Sequence, residues 1–97
     1  MTYNGWHNYE TWVTALWIDN EESTQEESRE ILRAWRDSGG GYLVQAGDSL
    51  KEWAETVYLD PILEEHPASL AADLLSAAWS EINWREIAEN WLEERHG

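Results

Sequence analysis

Ninety-seven residues suit one domain over 1–97, large enough to bury roughly two-thirds of the surface the unfolded chain exposes. Twenty Asp and Glu against six Lys and Arg leave a formal charge of -14, which sets aside direct binding to nucleic acid or an anionic membrane, while 42% hydrophobic residues and eight Trp set aside a disordered acidic tail. With no Cys, disulfides, thiolate metal sites and thiol nucleophiles are excluded, and stability falls to packing.

The opening run MTYNGWHNYE has neither a basic region nor an apolar stretch, so no signal peptide or membrane span is expected and a soluble, cytoplasmic protein is the default. Asn8 is a good N-cap, and Tyr9, Trp12, Val13, Leu16 and Trp17 recur at the spacing of one helical face, predicting a first helix to about Asp19. Ser23 and Glu26 read as the capping box of a second helix, with Ile31, Leu32 and Trp35 as its buried stripe and Gly39–Gly41 as its stop. Tyr42, Leu43 and Val44 are too short a run for periodicity to assign. A third helix is predicted from Asp48 or Ser49 through Leu50, Trp53, Ala54, Val57 and Tyr58, ending near Asp60 because Pro61 disfavours helical geometry before it.

Pro67 suits the first turn of a fourth helix, which Leu70, Ala71, Leu74, Leu75, Ala78 and Trp79 make apolar over most of its circumference, so it is expected at the centre. Asn83 caps a fifth helix, with Glu86 at the capping-box position, Ile82 and Ile87 placed as a hydrophobic staple, and Trp84, Ala88, Trp91 and Leu92 on the buried face. The fold class is all-α: a compact single domain of about five short amphipathic helices.

The run Tyr3-Asn4-Gly5-Trp6-His7-Asn8-Tyr9-Glu10-Thr11-Trp12, continued by Leu16-Trp17-Ile18-Asp19-Asn20, resembles the GWxNYETW and LWIDN signature of small acidic phage and mobile-element proteins, a family of unknown function. Ser69–Leu75 and Ser80–Glu89 look like that family's C-terminal pattern, and the two blocks cover about half of the chain. The resemblance implies a phage or mobile-element setting and no mechanism, and His7 stands at the motif's variable position. Physically the motif reads as a folding device: Gly5 permits a turn, Asn8 caps, and Trp6, Tyr9 and Trp12 fold over the start of the first helix.

Asp19, Glu21 and Glu22 lead into Glu26, Glu27 and Glu30; Glu86, Glu89 and Glu93 fall on one side of the last helix; and Glu64 and Glu65 precede His66. Like charges at such spacing cost a few tenths of a kcal/mol per pair, and a single Lys does little to dilute them. A domain about 30 Å across matches a length of duplex DNA carrying roughly 18 charges, a density that -14 approaches. The expected partner is therefore a protein with a basic surface, and the function a phage-type protein that binds and inhibits a host nucleic-acid-handling defence enzyme. Asp19, Glu21, Glu22, Glu26, Glu86, Glu89 and Glu93 are the candidate acidic contacts. The alternative is a structural or adaptor module, or a self-associating helical domain, whose acidity is only solvation; Arg29, Arg33 and Arg36 pairing with Glu26, Glu30 and neighbouring acids would favour it by cancelling part of the charge on the second helix.

Trp12, Trp35, Trp53, Trp84 and Trp91 are expected in the core, leaving Trp6, Trp17 and Trp79 as candidate aromatic anchors for a partner. His7 with Glu10, and His66 with Glu64 or Glu65, are pairs short of the three protein ligands a catalytic zinc takes, and His96 stands next to the end of the sequence. Asp19-Asn20-Glu21-Glu22 lacks the glycine and alternation of a calcium hand, and Gly39–Gly41 lacks the Lys and Ser or Thr of a phosphate loop. No catalytic residue, metal site or cofactor is assigned, and no enzymatic activity is expected.

Overall fold

Asn8 opens the first helix where the motif predicts: its backbone is extended and its Oδ1 accepts from the Thr11 backbone N–H at 2.9 Å, satisfying one of the donors a helix start leaves free. The computed structural model describes residues 3–38 and 43–94, as α1 (Tyr9–Asn20), α2 (Glu22–Asp37), α3 (Leu43–Ala54), α4 (Asp60–Glu65), α5 (Leu70–Ser80) and α6 (Trp84–Glu94). A π-helical turn over Glu55–Leu59 joins α3 to α4 in one rod, so the chain forms five helical bodies with no strand among the described residues. The glycine stop at 39–41, Tyr42 and His96 lie outside the described residues.

Four local expectations are corrected. Ser23 lies inside α2, not at its cap: the helix begins one residue earlier, behind Glu21, and the Thr24 hydroxyl instead secures the corner by donating to the Ile18 carbonyl at 2.8 Å. Asp48 and Ser49 lie mid-helix, because α3 already begins at Leu43, and the Ser49 hydroxyl accepts from the Trp35 indole N–H at 2.8 Å. Pro61 does not end the helix. The Asp60 N–H bonds to the Glu55 carbonyl in the wider π register, and this shift puts the proline in the first turn of α4, where a missing N–H is tolerated. Pro67 precedes the start of α5, whose cap is Ser69 Oγ accepting from Ala72 N at 3.0 Å.

The core forms where α3 and α6 face each other and α2 closes over them, with Ile18, Leu32, Leu50, Ile87 and Trp91 almost wholly buried. Small residues make the approach possible: Ala46, Gly47 and Ala54 are buried on α3, and a Cβ at Gly47 would lie 3.1 Å from the Arg85 backbone. Arg29 enters this region from α2, its guanidinium 3.6 Å from the Trp91 ring centroid and 2.7 Å from Asp19 Oδ1. The predicted central helix is displaced: α5 buries only Ala72, and Leu70 and Leu74 are 76% and 61% exposed. Its apolar circumference shows what the helix could bury, while the α2, α3 and α6 packing already fills the centre.

The N-terminal motif acts as a clasp. Asn4 and Gly5 both take positive φ, 50° and 89°, closing a tight turn whose Tyr3 and Trp6 exchange backbone hydrogen bonds of 2.7 and 2.8 Å. Tyr3, in place of the expected Trp6, joins Tyr9 and Trp12 in an aromatic cluster, while Trp6 packs against the core. Thr11, fully buried, donates its hydroxyl to Asn8 Oδ1 at 2.6 Å and accepts from the Asn83 backbone N–H at 2.9 Å. Thr11→Val keeps the shape and removes both bonds, so it is expected to lower unfolding free energy by about 1–3 kcal/mol, with Thr11→Ser losing less; urea titration followed by tryptophan fluorescence measures both.

Candidate functional site

On α1 the buried side chains are Thr11, Ala15 and Ile18, not the apolar stripe legible in the sequence. Tyr9, Leu16 and Trp17 are exposed and Trp12 and Val13 half-buried, so the helix carries a second apolar face that the core does not use. α5 lies across from this face. Between them run two adjoining depressions that share Val13, Thr14 and Trp79. One, of about 270 Å³, is completed by Trp17, Ile18 and Tyr58; the other, of about 260 Å³, by Tyr9, Leu75, Ala78 and Ile82, with Glu10 at its edge.

Two polar groups in this groove have partners within the fold. Thr14 Oγ1 donates to the Glu10 carbonyl at 2.7 Å, and the Trp79 indole N–H donates to Glu55 Oε2 at 3.2 Å while its ring stacks at a tilt on Trp84, centroids 5.5 Å apart. The groove floor therefore presents hydrocarbon and aromatic faces, with carboxylates beside it. Of the three aromatic candidates, Trp17 (61% exposed) and Trp79 meet in the groove, and Trp6 is half-buried elsewhere against the core. Val13, Tyr58 and Leu75 were absent from the sequence-derived site; the available signal was that α1 has more apolar residues than one buried face requires.

The acidic candidates divide by use. Asp19 is engaged by Arg29, and the Glu86 carboxylate accepts from the His7 backbone N–H at 3.0 and 3.1 Å, fastening the clasp to α6. Glu89 and Glu93 are exposed farther along α6. Glu21, Glu22 and Glu26 are exposed with Glu27 and Glu30, and their carboxylates form no ion pair or hydrogen bond among the described residues. The expected pairing along α2 holds in part: Arg36 meets the neighbouring Asp37 at 3.2 Å, whereas Arg29 turns inward to Asp19 and Trp91. Among the described residues no cation pairs with the acidic start of α2.

A polar depression of about 370 Å³ lies between α3 and the start of α6, where Lys51 and Arg85 face Asp48 and Glu81. Its charges balance, so it favours neither ion sign. Among the described residues no group of three or more His, Cys, Asp or Glu is placed to hold a metal ion, and no helix is long and apolar enough to cross a membrane.

These features define an acidic, all-α domain with an open aromatic groove. The chain belongs to a family of unknown function (DUF7249), whose sequence profile covers residues 1–95. No curated protein and no solved structure matches it.

The exposure of Trp17 separates surface role from core role. Trp17→Ala is expected to change unfolding free energy by no more than about 1 kcal/mol, whereas Trp91→Ala should cost about 3–5 kcal/mol; thermal unfolding of the two variants checks the contrast.

Proposed function

We propose that this protein binds a basic surface on a nucleic-acid-handling protein and blocks it. The observation that carries the reading is the exposed acidic face of α2, which no cation pairs with among the described residues, while Arg29 on the same helix is drawn into the fold. Exposed carboxylates steer a cationic partner, raising the encounter rate and suppressing anionic competitors. The molecule is 42 Å along its longest axis, a length over which duplex DNA carries about 25 charges, so -14 gives a little over half of the duplex density. The comparison favours a partial charge substitute over a full duplex replica, and the remaining affinity must come from contacts other than charge. The phage-type resemblance of the N-terminal motif makes a host defence enzyme the first target to test.

The test is capture from cell lysate at low salt, elution with duplex DNA, and assay of the eluted enzyme with and without added protein. A nucleic-acid-handling enzyme that DNA displaces and the protein inhibits is the expected result. Reversing Glu22, Glu26 and Glu30 to Lys should weaken that complex at least about tenfold and flatten its dependence on salt. Retention indifferent to DNA, to salt and to charge reversal would overturn the proposal.

A further inference from the structure

We infer that the groove between α1 and α5 seats two apolar side chains, one helical turn apart, from a basic amphipathic helix of the partner. The inference rests on the basic-partner reading above and adds to it a docking site and a recognition pattern. Tyr9, Val13 and Trp17 succeed one another at four-residue intervals along α1, about 6 Å each, and the two depressions lie on either side of Val13. That interval is the spacing of side chains at i and i+4 on an approaching helix. The two depressions, about 270 and 260 Å³, adjoin across Val13, Thr14 and Trp79 and offer two neighbouring seats along one open groove.

The groove's own chemistry selects the anchors. The exposed lining is chiefly hydrocarbon and aromatic carbon, and the Thr14 hydroxyl and the Trp79 indole N–H are bonded inside the fold, so a polar group entering would lose water for few partners, whereas Leu, Ile, Met or Phe loses nothing comparable. Charge selects the flanks: Glu10 lines one depression and Glu55 stands at Trp79, on a protein of net charge -14, so Lys and Arg beside the anchors are favoured. A second copy of this chain would bring the same -14 to the contact and is disfavoured by the same electrostatics.

The probe is a labelled 18-residue helical peptide with Leu pairs at i and i+4 on a Lys and Ala background, compared by fluorescence anisotropy with a scrambled peptide of identical composition. The patterned peptide is expected to bind the wild-type protein at least about tenfold tighter than the scramble, and Trp17→Ala should remove most of that advantage while leaving the weak, salt-sensitive binding of the scramble unchanged. Leu75→Ala, on the opposite wall, should act in the same direction, and thermal unfolding of each variant confirms that it folds. Equal binding of the two peptides, indifferent to Trp17→Ala, would overturn the groove while leaving the basic-partner reading in place, since that reading fails only through charge reversal and DNA competition. Salt-resistant dimerisation lost on Trp17→Ala, seen by sedimentation, would assign the groove to a second copy and overturn the inference.

Discussion

The fold turns on the Thr11 hydroxyl. It donates to Asn8, which starts α1, and accepts from Asn83, which caps α6 by accepting from the Glu86 N–H at 3.0 Å. One buried oxygen thus ties together the starts of two helices that are 72 residues apart in sequence. Asn8 extends the tie by donating from Nδ2 to the Glu81 carbonyl at 2.7 Å, just beyond the end of α5, and Glu86 returns it by accepting from His7. Neutral bonds of this kind contribute about 1 kcal/mol each, but the direction they impose matters more than their sum. They hold the C-terminal end of α5 against the start of α1 while the opposite end, with Leu70 and Leu74, remains exposed. The groove exists because α5 is fastened at one end and not packed along its length.

Several features were legible because they are local. Asn8 and Asn83 cap the helices they were expected to cap, for a side-chain oxygen two or three residues before a free N–H needs no distant partner. The helical class and the five helical bodies follow from periodicity in the same way. Pro61 was misread because a π turn leaves no mark in an apolar pattern: the extra residue that accommodates the proline is a change of register, not of composition. Ser23 matched the spacing of a capping box, yet the cap falls two residues earlier, at Glu21, where the bond from Thr24 to Ile18 secures the corner, and this depends on how α1 meets α2.

The candidate site was legible as residue types and not as geometry. Periodicity identifies a face that can be buried and is silent on whether anything covers it. Tyr9, Val13 and Trp17 qualified for burial by their spacing, while the positions truly buried on α1 are Thr11, Ala15 and Ile18, the first two small enough to allow close approach. In α5 the apolar residues were read as a central helix for the same reason, although only Ala72 is fully buried and Trp79 packs against the core from its edge. Charge on α2 was misjudged through a long-range contact: Arg29 has glutamates at helical spacing, but a nearby indole face and Asp19 offer a geometry that exposed glutamates do not.

The groove and the acidity bear on each other physically. An open aromatic groove, together with exposed Leu70 and Leu74 on α5, would ordinarily invite self-association, because apolar surface gains by leaving water whichever molecule covers it. A charge of -14 opposes that outcome between identical copies, and favours approach only by a surface of opposite sign. The carboxylates thereby supply selectivity that hydrocarbon lacks, and the groove supplies the short-range contact that screened surface charge cannot. Under the proposed reading the two kinds of surface also have separate kinetic effects: changing the α2 carboxylates would act mainly on how fast a basic partner arrives, and changing Trp17 on how long it stays.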